Sequence, residues 1–182
     1  MLQTLQNLDS ALLLAIQGLR QDWLDPWVAF YTHLGDAGAL WIVLGLLLLC
    51  RRSTRKAGAA ALLALALGFL CTNLGLKPLV SRPRPWLALA ELVPLVAEHD
   101  PNSFPSGHTC AAFAAGVAWL MTLPRKWGRI AVTAAVCMGL SRLYVGVHYP
   151  CDVLAGALVG TLCGLTACLL VKEYERRRDL RQ

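Results

Sequence analysis

An all-α polytopic bundle of about five transmembrane helices, led by an N-terminal helix lying in the membrane interface, is the fold class this sequence predicts. Three observations carry that expectation. Of its 182 residues 57% are hydrophobic and the mean hydropathy is +0.53, too apolar for a soluble domain of this length. Four stretches are almost free of charge: Trp27 to Cys50 (Asp36 excepted), Ala57 to Leu76, Thr109 to Leu123 and Val153 to Val171, while a fifth, Ile130 to Leu140, can be extended at both ends. Each approaches the roughly 20 residues a helix needs to cross about 30 Å of hydrocarbon. The cations, finally, cluster between them. Arg51, Arg52, Arg55 and Lys56 follow the first span, Arg125, Lys126 and Arg129 the third, and Lys172, Arg176, Arg177, Arg178 and Arg181 the last, so these loops belong in the cytoplasm. A soluble core is excluded because so small a chain has too little interior to hide this many apolar helices.

The elements follow in order. Leu5, Leu8, Leu12, Ile16 and Leu19 recur at three-to-four spacing among Gln3, Gln6, Asn7, Asp9 and Gln17, which is an amphipathic helix within residues 1–26. From Leu5 to Leu19 it measures about 22 Å, short of the hydrocarbon thickness, so an interfacial placement is expected rather than a span. Nor does a basic start precede it, as a secretory signal would require. Asp25-Pro26 then opens the first span. Counting outward from the basic loop at 51–56 puts residues 77–106 and 142–151 on one extracytoplasmic face, and residues 172–182 form a basic cytoplasmic tail. A connection as long as 77–106 is more often functional than structureless. Its Arg82-Pro83-Arg84-Pro85 run cannot continue a helix, whereas Leu87 to Ala97 is apolar enough for a short surface helix. One membrane-embedded domain, 1–182, is the expected organisation.

The net charge of +6 does not indicate nucleic acid, because the cations sit at membrane boundaries. The cations assigned to the outer face are Arg20, Lys77, Arg82, Arg84 and Arg142. Seven cysteines lack metal-ligand spacing and read as small packing residues; Cys151, beside Asp152, is the one with a reactive alternative.

Chemistry concentrates in three places. Pro105-Ser106-Gly107-His108 immediately precedes the third span, making Ser106 an N-cap and leaving unpaired N–H groups from Gly107 onward, a setting that attracts anions. Pro150 suits the first turn of the last span, which places His148 just ahead of that helix and Asp152 within its first turn. A carboxylate so placed can fix the imidazole tautomer and leave the other ring nitrogen as nucleophile. Taken alone, Asp152 also fits a helix-dipole partner and His148 a headgroup-level residue. Lys77, Arg84 and Arg142, on the same face, suit the non-bridging oxygens of a phosphate, although snorkelling cations are the simpler alternative. Together the three places suggest phosphoryl transfer at a membrane surface.

Lys77, six residues, then Arg84-Pro85; Pro105-Ser106-Gly107-His108; and Ser141-Arg142, five residues, His148, three residues, Asp152: this pattern resembles the three-part signature of the type 2 phosphatidic acid phosphatase superfamily. The resemblance implies a metal-independent, cofactor-free integral membrane phosphatase working through a phosphohistidine. By that likeness His148 attacks phosphorus, Asp152 orients it, His108 protonates the leaving oxygen and then activates water, and Lys77, Arg84, Ser106, Gly107 and Arg142 hold the phosphate. Arg82 falls outside the matched spacing. Six-span bundles are common in the family, so a sixth span is the alternative to the interfacial helix. The resemblance also implies a bacterial inner-membrane enzyme with its site on the periplasmic face and its C-terminus in the cytoplasm. Undecaprenyl diphosphate is the favoured substrate; phosphatidylglycerophosphate, phosphatidic acid and a lipid A phosphate share the chemistry. A soluble vanadate-dependent haloperoxidase is disfavoured by the long spans, and a non-catalytic lipid-binding scaffold by the intact His108, His148 and Asp152. His33 and Asp36, in the outer third of the first span, either line a lipid entrance or make a polar packing contact. Glu91, Glu98, His99 and Asp100 read as solvated loop charge or as a gate over the site.

Overall fold

The computed structural model describes residues 2–180 and contains, among them, helices and one isolated bridge between Pro83 and Asn102, with no strand. The helices are α1 (Leu2–Gln17), α2 (Asp25–His33), α3 (Ala39–Cys50), α4 (Arg55–Phe69), the short α5 (Lys77–Val80) and α6 (Pro85–Ala88), then α7 (Gly107–Thr122), α8 (Arg125–Tyr144) and α9 (Pro150–Asp179). Arg181, expected in the basic tail, lies outside the described residues.

Helix α7 forms the centre of the bundle, with α4, α8 and α9 packed around it. Its small residues Ala112, Ala114, Ala115 and Ala118 are fully buried and meet Ala57, Ala60, Ala61 and Ala64 of α4 in one core. Gly156, Gly160 and Gly164 follow one another at one-turn spacing on α9 and let its backbone lie directly on α7. A methyl group at Gly156 would stand 2.5 Å from the Ser106 carbonyl oxygen and one at Gly164 2.8 Å from that of Ala114, and at Gly160 it would collide with the Cys110 carbonyl. Because Ser106 to His108 open α7 and His148 to Asp152 open α9, this contact also sets the distance between the two histidine motifs.

The first expected span is broken. Helices α2 and α3 meet at a 48° bend across residues 34–38, where a 3₁₀ turn spans Asp36–Gly38. Gly38 takes φ +72°, which costs glycine little, but Ala37 takes φ +51°, a conformation alanine adopts only under tertiary constraint. The second span continues further than its apolar run: α4 passes into a π-helical turn, Leu70–Leu76, and then into α5, carrying Lys77 on a helix rather than on a loop. By length and composition two helices, Arg55–Val80 and Pro150–Asp179, can cross a membrane, or three if the bent pair is one span. Helix α7, with 16 residues, is about 24 Å long, and α8 carries Arg125, Lys126 and Arg129 in its first turns.

The surface helix expected over Leu87 to Ala97 does not form. Helix α6 ends at Ala88, Leu89 is extended, and Pro94 supplies no donor. Instead Leu92 packs on Leu13 and Tyr149, Val96 packs on Val145 and Val147, and the Leu95 N–H donates to the Val145 carbonyl at 3.0 Å. Tertiary burial of Leu92 and Val96 has overridden local helical tendency. Helix α1 lies against this same end of the bundle. Its Gln17 Nε2 donates to the Leu143 carbonyl at 2.7 Å and the following Arg20 Nε to that of Tyr144 at 2.8 Å, while Leu5, Leu8 and Leu12 remain about half exposed.

Candidate active site

Cys50, Cys71, Cys137 and Cys151 are exposed and Cys110 and Cys163 buried, all as free thiols. The chemistry-bearing residues converge instead at the α1 end of the bundle, around a cavity of about 570 Å³. Lys77, Arg84, Gly107, His108 and His148 line its polar end, and Ile42, Leu62, Leu65, Ala66 and Phe69 line the rest. Three further expected residues, Ser106, Arg142 and Asp152, are buried around this polar end without lining the cavity.

Ser106 is the N-cap of α7 as its position predicts: its Oγ accepts from the Thr109 N–H at 3.4 Å and from the Thr109 hydroxyl at 2.9 Å. Its own N–H donates to the Asp152 carbonyl at 3.0 Å, which ties the start of α7 to the start of α9. Gly107 and His108 then face the cavity.

His148 is 1% exposed and sits in the α8–α9 connection. Arg84 Nη1 donates to its Nε2 at 3.0 Å and to the Val147 carbonyl at 2.9 Å. Because guanidinium only donates, Nε2 must be the lone-pair nitrogen and Nδ1 must carry the proton. Nδ1 faces Asp152 Oδ2 at 3.5 Å, longer than a hydrogen bond, and has no closer partner. The tautomer therefore matches that of a nucleophile, its Nε2 lone pair held by the Arg84 guanidinium, while the orienting contact is looser than the motif suggests. Burial, followed by the charges of Arg84, Arg142, Lys77 and His108, holds His148 well below the usual imidazole range. It is neutral at pH 7.

Asp152 is completely buried, and its firm partners are others: Arg82 Nη1 at 2.7 Å on Oδ1 and the Tyr149 N–H at 2.9 Å on Oδ2. Arg82 also donates to Asp9 Oδ2 and Gln6 Oε1 of α1, both at 2.6 Å, and stacks on the Tyr149 ring at 3.9 Å. Asp9 in turn accepts from the Cys151 N–H at 2.9 Å. Arg82 stands off the motif spacing, and the sequence offered no signal for it beyond its place between the motif residues; in the structure it clamps α1 to the start of α9.

The three cations expected to hold phosphate, Lys77, Arg84 and Arg142, have carboxylate partners within the chain. Lys77 pairs with Asp100, Arg142 with Glu98, and Arg84 Nη2 reaches Glu98 Oε2 at 3.4 Å. Burial opposes the charge on Asp100, but Lys77, the Asn102 N–H and Arg84 hold its carboxyl below the usual range. Burial lowers Arg84 to about 10, so it stays charged at neutral pH. Glu98 and Asp100 are thus internal anions at the cationic end of the cavity, not solvated loop charge. Asp36 makes a polar contact, one of the two roles expected of it, and makes it with a site histidine: its Oδ1 lies 2.9 Å from His108 Nε2 and its Oδ2 2.8 Å from His33 Nδ1. Among the described residues no three His, Cys, Asp or Glu side chains form a metal-binding group.

The model of the PAP2 superfamily matches residues 57–176, which contain every motif residue of this site. The chain belongs to the PAP2 superfamily. The undecaprenyl-diphosphatase BcrC of Bacillus subtilis is 33% identical to this PAP2 chain, over 82% of it and 77% of the relative. Among solved structures, Aquifex aeolicus LpxE superposes with a TM-score of 0.78 at 30% identity, covering 86% of this chain and 92% of that one. The transmembrane PAP2-type phosphatidylglycerolphosphate phosphatase of Bacillus subtilis superposes with a TM-score of 0.74 at 31% identity, covering 96% and 87%. The family is thus one of membrane lipid phosphatases, and the all-helical architecture is shared with its solved members.

Proposed function

We propose that this chain hydrolyses a lipid phosphate at the extracytoplasmic surface of a bacterial inner membrane, with undecaprenyl diphosphate as substrate and undecaprenyl phosphate as product. One observation carries this reading: a single cavity joins a cationic, two-histidine end to walls of Ile42, Leu62, Leu65, Ala66 and Phe69. That is the polarity of an amphiphile with a phosphorylated head. His148 Nε2 attacks phosphorus, the bond to the lipid-side oxygen breaks, and His108 donates its proton to that oxygen. Water, deprotonated by His108, then attacks the phosphohistidine and releases inorganic phosphate. Asp152 supports the His148 imidazolium, and Lys77, Arg84 and Gly107 take the phosphate oxygens, with Arg142 buried behind them adding positive charge and Ser106 fixing the helix start that presents Gly107. These cations neutralise the phosphate without a metal ion.

The same reading places five spans, α2–α3, α4–α5, α7, α8 and α9, across the bilayer, with α1 lying in its outer interface and residues 172–182 in the cytoplasm. The exposed Leu5, Leu8 and Leu12 and the attachment of α1 to the site end of the bundle support that placement. Phosphatidylglycerophosphate is the second substrate to test, given the solved relative named for it. Purified protein in detergent, given undecaprenyl diphosphate, phosphatidylglycerophosphate and phosphatidic acid in excess EDTA, provides the test. Release fastest from the polyprenyl diphosphate and abolished by His148→Ala is expected. Release that survives His148→Ala removes the nucleophile assignment, and release that stops in EDTA removes metal independence.

A further inference from the structure

We infer that Asp36, with His33 behind it, is the positioning residue for His108: the α2–α3 bend brings its carboxylate onto His108 Nε2 and leaves Nδ1 as the nitrogen that exchanges protons with substrate and water. This inference rests on the acid–base role proposed for His108. Asp36 Oδ1 lies 2.9 Å from His108 Nε2, and Oδ2 lies 2.8 Å from His33 Nδ1, so both carboxylate oxygens are engaged by imidazole. No regular helix running from Trp27 to Cys50 would deliver this contact. It requires the 48° break, and that break holds Ala37 at φ +51°, where alanine is strained. Gly35 gives the close approach: a methyl group there would stand 2.9 Å from His108 Cδ2. The bend is thus shaped around the His108 ring, and Gly35, Ala37 and Gly38 line the cavity beside it.

The proton balance follows. As imidazolium, His108 keeps its Nε2–H on Asp36 and gives its Nδ1–H to the oxygen leaving phosphorus as the His148 Nε2–P bond forms. The ring left behind is neutral and already in the tautomer with Nδ1 unprotonated. Nδ1 then takes a proton from the water whose oxygen attacks phosphorus as the P–N bond breaks. The Asp36 charge stabilises the imidazolium of the first step. The charged groups facing His108 from the other elements are Lys77 of α5 and Arg84 of the outer segment, with His148, Glu98 and Asp100 on the same cavity. Asp36 is the carboxylate in contact with its ring.

The test compares wild type, Asp36→Asn, Asp36→Glu and His33→Ala, with His148→Ala as control, on phosphatidic acid and undecaprenyl diphosphate. A diphosphate expels a phosphate ester that is a weak base, whereas phosphatidic acid expels an alkoxide that needs a proton. Loss of the positioned acid therefore falls hardest on phosphatidic acid. Asp36→Asn is expected to lower kcat/KM about 10- to 100-fold there and several-fold less on the diphosphate. It should also move the alkaline limb of the pH profile roughly one unit toward acid. Asp36→Glu should restore part of both effects. Equal losses on the two substrates with an unmoved alkaline limb, or no loss at all, would overturn the inference. If Asp36→Asn fails to fold, Asp36→Glu and His33→Ala decide by the same substrate ratio and limb. Activity surviving in His148→Ala would instead count against the phosphatase mechanism itself, so the two failures are distinguishable.

Discussion

Replacing Arg82 by methionine removes the guanidinium that joins α1 to the start of α9. Two carboxylates depend on it: the side chain of Asp9 is 2% exposed and that of Asp152 is 0% exposed, at 2.6 and 2.7 Å from its guanidinium. Asp152 keeps the Tyr149 N–H and Asp9 keeps the Cys151 N–H, so neither is stripped bare. Breaking a buried pair by removing one partner costs about 3–5 kcal/mol, and with those N–H bonds retained the lower end applies. A loss of about 3 kcal/mol lowers the unfolding midpoint of a protein this size by roughly 6–12 °C. Asp152 can escape the penalty by taking up a proton, and His148 then loses the negative charge that supports its imidazolium. The turnover rate should fall about 100-fold with KM little changed. Thermal unfolding in detergent and steady-state phosphate release read the two effects. Asp9→Asn combined with Arg82→Met should recover stability but not turnover, because only the α1 carboxylate has been relieved. If Arg82→Met unfolds within 2 °C of wild type and turns over normally, the clamp has no energetic role.

Three other outcomes follow from the geometry. Neutralising the internal anions by Glu98→Gln or Asp100→Asn should tighten inhibition by inorganic phosphate roughly threefold to tenfold, the scale of a partly exposed ion pair of about 1 kcal/mol; an unchanged inhibition constant would show that these carboxylates do not compete with phosphate. Since His148 sits well below the ordinary value of 6.5, its lone pair survives into acid, and the acidic limb of the kcat/KM profile should lie well below that value; a limb at or above 6.5 would contradict its burial among cations. Gly160→Val presses a branched side chain into the Cys110 carbonyl on α7, so it should destabilise the bundle by about 1–3 kcal/mol in thermal unfolding, where a neutral result would mean α7 and α9 are not in close contact.

The parts of the site legible in the sequence were those whose chemistry repeats in short segments. Ser106 caps α7 and Pro150 starts α9 because both depend on local backbone rules, and the positive-inside count brought Lys77, Arg84, His108 and His148 toward one end. Contacts between distant segments were not legible. Arg82 and Asp9 are 73 positions apart and Asp36 and His108 are 72 apart, and neither pair belongs to a periodic pattern. The bend at residues 34–38 was hidden because apolarity persists through it, and composition does not register a strained Ala37. The α7–α9 approach has a readable signal in the four-residue spacing of Gly156, Gly160 and Gly164. Over Leu87 to Ala97 apolar composition does not mean a surface helix, since Leu92 and Val96 are buried against α1 and the α8–α9 connection while Leu87 and Val93 stay exposed.

The central claim is that His148 becomes covalently phosphorylated. Rapid acid-free quenching of enzyme mixed with undecaprenyl diphosphate labelled on its terminal phosphate, followed by peptide mapping, measures this directly. An acid-labile, alkali-stable label on the peptide carrying His148 is predicted, absent in His148→Ala and persisting longer in His108→Ala, where water is no longer activated. Rapid turnover with no label on His148 at any quench time, or a label that forms equally in His148→Ala, would contradict it.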